Sequence, residues 1–255
     1  MGNGLMSVVL ITFIAGAGGT LLGGMLGVLF KKPSSKYIGL MLGFSAGIML
    51  GVSLFELMPE AYEYGGLWSA MIGFVIGGLF VFILDFIMEK YRLVKEVVQP
   101  VNGSVENKDF KKLFKTGLII FFTVMLHTFP EGVAIGAGEH LGIGVLLALV
   151  LMAHNIPEGL AFALPMRASG MKVWKVLGIS FLAGVPMVFG GIIGYLLGMN
   201  DLLIAYALSF AAGAMIYVVF AEMLVTAYEY CQNHKLLTLI SMLGAVVIIL
   251  FASVL

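Results

Sequence analysis

The chain has 255 residues, 61% of them hydrophobic and only 11% charged, with fourteen basic and fourteen acidic side chains cancelling to zero net charge. A mean hydropathy of +1.09 is more apolar than a soluble core of this size requires, so a water-soluble globular domain is excluded. The zero net charge says nothing about nucleic acid, but no basic patch with interleaved aromatics appears, and no nucleic-acid partner is expected. The lone Cys231 rules out a disulfide framework or a cysteine metal cluster.

Cutting the apolar runs at charges, prolines and polar clusters predicts an all-α integral membrane protein with eight transmembrane helices, 1–255 forming one transmembrane domain. The first span, 5–29, follows Met1-Gly2-Asn3-Gly4, which lacks a basic leader region, and reads as a permanent helix rather than a cleaved signal. Its stripe Gly16, Gly19, Gly23, Gly27 predicts close helix packing. The second span, 38–58, carries Glu56 near its end, and the third, 67–88, carries Asp85 as an interfacial anchor. Residues 89–116 are polar, charged and broken by Gln99-Pro100 and Asn102-Gly103-Ser104, which predicts a long loop. The fourth and fifth spans, 117–138 and 143–165, hold the only two histidines placed at bilayer depth, His127 and His154. The sixth, seventh and eighth spans are expected at 175–198, 202–226 and 236–254, with Glu222 in the seventh.

Eight spans put every Lys and Arg on one side: Lys31, Lys32 and Lys36, seven cations from Lys90 to Lys115, then Arg167, Lys172, Lys175 and Lys235. The other side carries Glu60, Glu63, Glu139, His140 and Asp201, of which Glu60, Glu63, Glu139 and His140 read as a solvated loop before they read as an acidic vestibule. Positive residues stay on the cytoplasmic side of a cell (plasma or inner) membrane, so both termini are expected outside and 89–116 in the cytoplasm. Seven or nine spans would scatter the cations over both faces.

The chain also repeats itself. Phe44-Ser-Ala-Gly47-Ile-Met49, Glu56 and Ala61-Tyr-Glu-Tyr64 recur 166 residues later as Phe210-Ala-Ala-Gly213-Ala-Met215, Glu222 and Ala227-Tyr-Glu-Tyr230. Gly23, Gly24 and Gly27 return as Gly190, Gly191 and Gly194. Spans one to three thus resemble spans six to eight with two between them, a 3+2+3 arrangement that inverts one copy, as in many secondary transporters.

The two middle spans contain a duplication of their own, His127-Thr-Phe-Pro130-Glu131-Gly132 and His154-Asn-Ile-Pro157-Glu158-Gly159. His and Glu four residues apart share one helical face. A carboxylate at bilayer depth costs about 3 kcal/mol on insertion scales and needs a partner or a wet cavity. Because the spans run antiparallel, His127 is expected level with Glu158 and Glu131 level with His154, in two tiers about one turn apart. Two carboxylates neutralise a dication, and imidazole suits Zn²⁺, with Fe²⁺, Mn²⁺, Co²⁺ or Cd²⁺ as further candidates. Each proline withdraws an N–H and frees the carbonyl of Leu126 or Ala153, which is tolerable at that depth where it lines a water-filled path. The blander alternative is a pair of His–Glu hydrogen bonds that only hold two helices together, and the duplication of four titratable groups at one depth weighs against it.

HTFPEG and HNIPEG resemble the fourth and fifth spans of the ZIP family of metal transporters, most closely its short prokaryotic ZupT/GufA-like branch. Span count, outside termini, long third loop and repeat extend the resemblance over nearly the whole chain. It implies His127, Glu131, His154 and Glu158 as ligands of a transported metal, movement into the cytoplasm, and a homodimer in the lipid bilayer. It also implies spans one, four, five and six moving against two, three, seven and eight, and no catalytic cofactor. Thr128, Asn155, Glu56 and Glu222 are secondary metal or pathway candidates. Three departures limit it: Thr128 replaces an Asn common in relatives, the sixth span reads Ala183-Gly184-Val185-Pro186 without a carboxylate, and 89–116 contains no His. One tight metal is therefore expected rather than two. A membrane-embedded metalloenzyme is the competing class, but the E-x-x-H di-iron and H-E-x-x-H zinc patterns are absent. A passive channel stays open as a third.

Overall fold

A computed structural model describes residues 2–30, 34–90, 108–198 and 200–252, so Lys31, Lys32, Arg92, Lys95 and the Asn102-Gly103-Ser104 turn lie outside the described residues. Among the described residues every regular element is a helix. Seven stretches are long and apolar enough to cross a bilayer: Gly4–Val28, Ser35–Ile87, Leu113–Glu139, Gly144–Ala168, Val173–Leu197, Asp201–Tyr230 and His234–Phe251. The second, at 53 residues, would be roughly 80 Å long as one rod, against a hydrocarbon core of about 30 Å. It breaks at Gly66, whose φ of 73° and ψ of 175° are open essentially to glycine alone. Two crossings result, and among the described residues the spans number eight.

Boundaries differ from the sequence expectation mainly around the long loop. The fourth helix begins at Lys108 and the third ends at Lys90, so 108–116 are helical rather than loop. Nothing in the sequence between Lys108 and Thr116, which contains neither proline nor glycine, breaks a helix. Asp85, on the third span, accepts a hydrogen bond from Tyr217 of the seventh at 3.2 Å.

Among the described residues three helices contain a π turn in mid-course: Ile14–Gly18 in the first span, Ser53–Leu57 in the second and Val219–Met223 in the seventh. The last two are related by the 166-residue repeat, residue for residue. Packing follows the same relation. The second span lies on the eighth and the seventh on the third, while the first lies on the fifth and the sixth on the fourth. A Cβ on Gly47 would overlap the Ser241 carbonyl, and a Cβ on the repeat-related Gly213 would overlap the carbonyl of Phe74. Gly132 meets Met187 as Gly159 meets Thr20. Each contact is its partner's copy with the halves exchanged, which is what a pseudo-two-fold axis between inverted repeats requires. Spans four and five, with their 27-residue duplication, face each other across that axis.

Candidate metal centre

His127 and Glu131 sit near the middle of Leu113–Glu139, and His154 and Glu158 near the middle of Gly144–Ala168. All four side chains are fully buried. Both helices run through their prolines, Pro130 and Pro157. The i, i+4 spacing turns each His and Glu toward the opposite helix. His127 Nε2 lies 3.0 Å from Glu158 Oε1, and His154 Nε2 lies 3.3 Å from Glu131 Oε1. The two-tier arrangement expected from the antiparallel duplication is therefore present.

The site is underbonded. His127 Nδ1, His154 Nδ1, Glu131 Oε2 and Glu158 Oε2 are buried and have no hydrogen-bond partner. Buried polar atoms are satisfied in the large majority of cases, and an orphan costs about 1–3 kcal/mol. Four orphans on four adjacent side chains mark a place built for something besides its own residues. Among the described residues no three His, Cys, Asp or Glu are grouped closely enough to hold one metal together. The four groups stand as two couples, and a shared ion needs a side-chain rotation that opens them toward each other.

Thr128 and Asn155, the residues after each histidine, reach the backbone of neighbouring spans. Asn155 Nδ2 donates to the Ala15 carbonyl of the first span at 2.9 Å, and Thr128 Oγ1 to the Ala183 carbonyl of the sixth at 3.2 Å. Glu56 occupies the π turn Ser53–Leu57, its two carboxylate oxygens buried and unpartnered. Together with Glu60 and Glu63 it lines a cavity of about 250 Å³ whose far wall is Leu146, Leu147, Val150 and Leu151 of the fifth span. Glu60 and Glu63 thus share a wall of this cavity, Glu63 from an exposed position. Glu139 is not among the residues lining that cavity, nor is His140, whose ring stacks on Tyr195 and whose Nε2 is 2.8 Å from the Tyr195 carbonyl oxygen. Glu222 sits half-buried in the repeat-related π turn Val219–Met223.

The π turns and the backbone contacts of Thr128 and Asn155 escaped sequence reasoning. The only signal for either was the repeat: Glu56 and Glu222 hold matched positions, as do Thr128 and Asn155, and matched polar residues at depth deserve matched partners.

Fold and site together define a multi-pass membrane protein, an inverted repeat closed around a buried histidine–glutamate centre. A family model described as ZIP Zinc transporter matches residues 95–252. Proteins named Zinc transporter ZupT from Salmonella arizonae, Salmonella newport and Salmonella enteritidis are each 37% identical over 242 residues, covering 90% of this chain and 90% of theirs. The chain belongs to the ZIP family of metal transporters.

Proposed function

We propose that this protein carries zinc across the cell membrane into the cytoplasm through a site made by His127, Glu131, His154 and Glu158. The observation that carries the proposal is the set of four unpartnered polar atoms on four fully buried titratable side chains. One nitrogen from each imidazole and one oxygen from each carboxylate make a four-coordinate N₂O₂ set, within the tetrahedral preference of Zn²⁺. Two carboxylates cancel the charge of the dication, so the loaded site is neutral and its desolvation tolerable. The relatives named for zinc support this cargo; Fe²⁺, Mn²⁺, Co²⁺ and Cd²⁺ accept the same donors and are expected to compete.

In the absence of cargo each histidine is held by the glutamate of the other helix. Zinc replaces these bonds, and any proton they share is released on binding. A carrier has to let go as well as hold, and ligands whose alternative partners stand 3.0 and 3.3 Å away provide a low-cost way back to the unloaded state. The direction is the one the family resemblance implies, and the sidedness of the cations puts Glu56 near the outer mouth and Glu222 near the inner one. The working unit is a homodimer, as the family resemblance implies. The test is uptake of radioactive zinc into proteoliposomes. His127→Ala and Glu158→Ala, present at normal level in the membrane, should abolish saturable uptake, and near-normal uptake by either would sink the assignment.

A further inference from the structure

We infer that the hydroxyl pair of Thr116 and Thr226 is a latch that holds the cytoplasmic side shut while the outer side stands open, across the route by which cargo leaves. The inference rests on the proposed transport site. The repeat relates the second span to the seventh by 166 residues and the fourth to the fifth by 27, so each residue lining one mouth has a counterpart at the other. At the outer mouth the second and fifth spans part. The cavity of about 250 Å³ lies between them, with Glu56 and Glu60 on one wall and Leu146, Val150 and Leu151 on the other. Leu146 is 41% exposed, and Glu60 and Val150 are half-buried.

The counterparts at the inner mouth are Glu222 and Thr226 of the seventh span and Ile119, Thr123 and Val124 of the fourth. There the walls meet. Ile119 is 3% exposed and Thr226 2%, and Thr123 and Val124 are buried as well. Across that seam Thr116 Oγ1 and Thr226 Oγ1 share a hydrogen bond at 3.4 Å. The bond is long and joins two neutral groups, which suits a contact that has to be broken in every cycle.

The two mouths match in backbone and differ in side-chain chemistry. Thr226 lies three residues past the π turn Val219–Met223, and its counterpart Glu60 lies three residues past Ser53–Leu57. Thr116 corresponds to Ile143, whose side chain has no polar atom. Two hydroxyls therefore meet at the inner mouth, where the outer one has a carboxylate and an aliphatic side chain in the same places. Closing the outer mouth would take the Glu60 carboxylate from water with only Ile143 in the matching position, which is unfavourable. Closing the inner mouth pairs two hydroxyls. The arrangement at rest is then open outward and latched inside, and bound cargo leaves when the seam parts, past Thr123 toward Glu222.

The experiment reads the two mouths with matched cysteines in a Cys231→Ser background. Val150→Cys reports on the outer mouth, labelled by an impermeant thiol reagent in intact cells, and its counterpart Thr123→Cys on the inner mouth, labelled in inverted membrane vesicles. Thr116→Val and Thr226→Val each remove the bond and keep the shape, while Thr226→Ser keeps the hydroxyl. Either valine should speed labelling at Thr123→Cys about fivefold, the weight of one hydrogen bond. Labelling at Val150→Cys should be unchanged or slower, because population gained by the inward-open state is lost by the outward-open one. The two valines together should match either alone, since both break the same bond, and Thr226→Ser should label at the parental rate. Unchanged labelling at Thr123→Cys in both valine variants would overturn the latch. So would faster labelling at both mouths, which marks a loosened fold, or valine effects that multiply, or a Thr226→Ser variant that behaves like the valine. If one valine variant fails to fold, the other and Thr226→Ser carry the test. The labelling needs no zinc, so failure of the transport site shows separately, as His127→Ala retaining uptake.

Discussion

Replacing Glu158 by Gln changes the proposed centre by one charge and almost no volume. Gln can still hydrogen-bond His127 across the 3.0 Å gap now bridged by Glu158 Oε1, so the helix pair keeps its contact and the fold is preserved. The bound dication, however, loses half of its neutralising charge at a site with no solvent exposure. With about 4 Å between charge centres and an effective dielectric near 20, one carboxylate attracts a dication by about 8 kcal/mol, and the several kcal/mol spent desolvating that carboxylate offset about half, leaving about 4 kcal/mol. That is roughly a thousandfold in zinc affinity. Zinc titration of purified Glu158→Gln should therefore show binding weakened about a thousandfold, and proteoliposome uptake at micromolar zinc should fall to background. Glu131→Gln should match it, since its couple is the copy of the first. The unloaded variants should melt within a few degrees of the parent. Zinc affinity within tenfold of the parent in either variant would refute the charge-balance argument, and the N₂O₂ site with it.

Three further outcomes follow from particular residues. Glu56→Gln should raise KM several-fold with maximal flux retained, the effect shrinking as salt rises, because a carboxylate in the vestibule wall concentrates cations without holding them at the centre; a fall in maximal flux at constant KM would contradict this. Gly213→Ala should lower the melting temperature by an amount corresponding to about 1–3 kcal/mol, since its methyl would collide with the Phe74 carbonyl, whereas Gly178→Ala, with no atom within 4 Å of its Cβ, should be neutral or stabilising; equal behaviour of the two would contradict the packing. In a Cys231→Ser background, cysteine at Ser104 should resist an impermeant thiol reagent until cells are opened, and cysteine at His140 should react in intact cells; labelling of both from outside would overturn the sidedness.

Much of this architecture was readable from the chain because a membrane removes alternatives. Backbone polar groups in hydrocarbon must be satisfied within helices, so an apolar run such as 5–29, which stops short of Lys31, or 202–226, which follows Asp201, has one available conformation. The level pairing of His127 with Glu158 followed from antiparallel geometry and two numbers of equal sum, and the 3.0 Å contact agrees with it. Elsewhere the pattern was silent. Nothing in Ser53-Leu-Phe-Glu56-Leu57 announces a π turn, because a five-residue step is chosen by packing against other spans rather than by local preference. The fourth helix was expected from 117 because Lys111, Lys112 and Lys115 look like loop, yet charges end a membrane span without ending a helix. The partners of Thr128 and Asn155 depended on which spans lie beside them, and periodicity within one helix carries no such information.

The pseudo-two-fold axis gives a reason for a metal site to sit where it does. When inverted repeats exchange conformations, every residue off the axis changes its surroundings, and only what lies on the axis keeps them. The couples His127–Glu158 and His154–Glu131 are exchanged by that operation, so the set of four proposed ligands maps onto itself. A cation held by all four meets the same donors whether the protein is open toward Glu56 or toward Glu222. Rearrangement between the two states then need not be opposed by lost coordination at the centre, and the barrier is left to the spans around it. The matched π turns fit this division. They place Glu56 and Glu222 at equivalent points of the two repeats, off the axis, where a difference between the open and closed sides can be expressed. A site built from one repeat alone would coordinate its cargo differently in each state, and would hold it more tightly on one side than on the other.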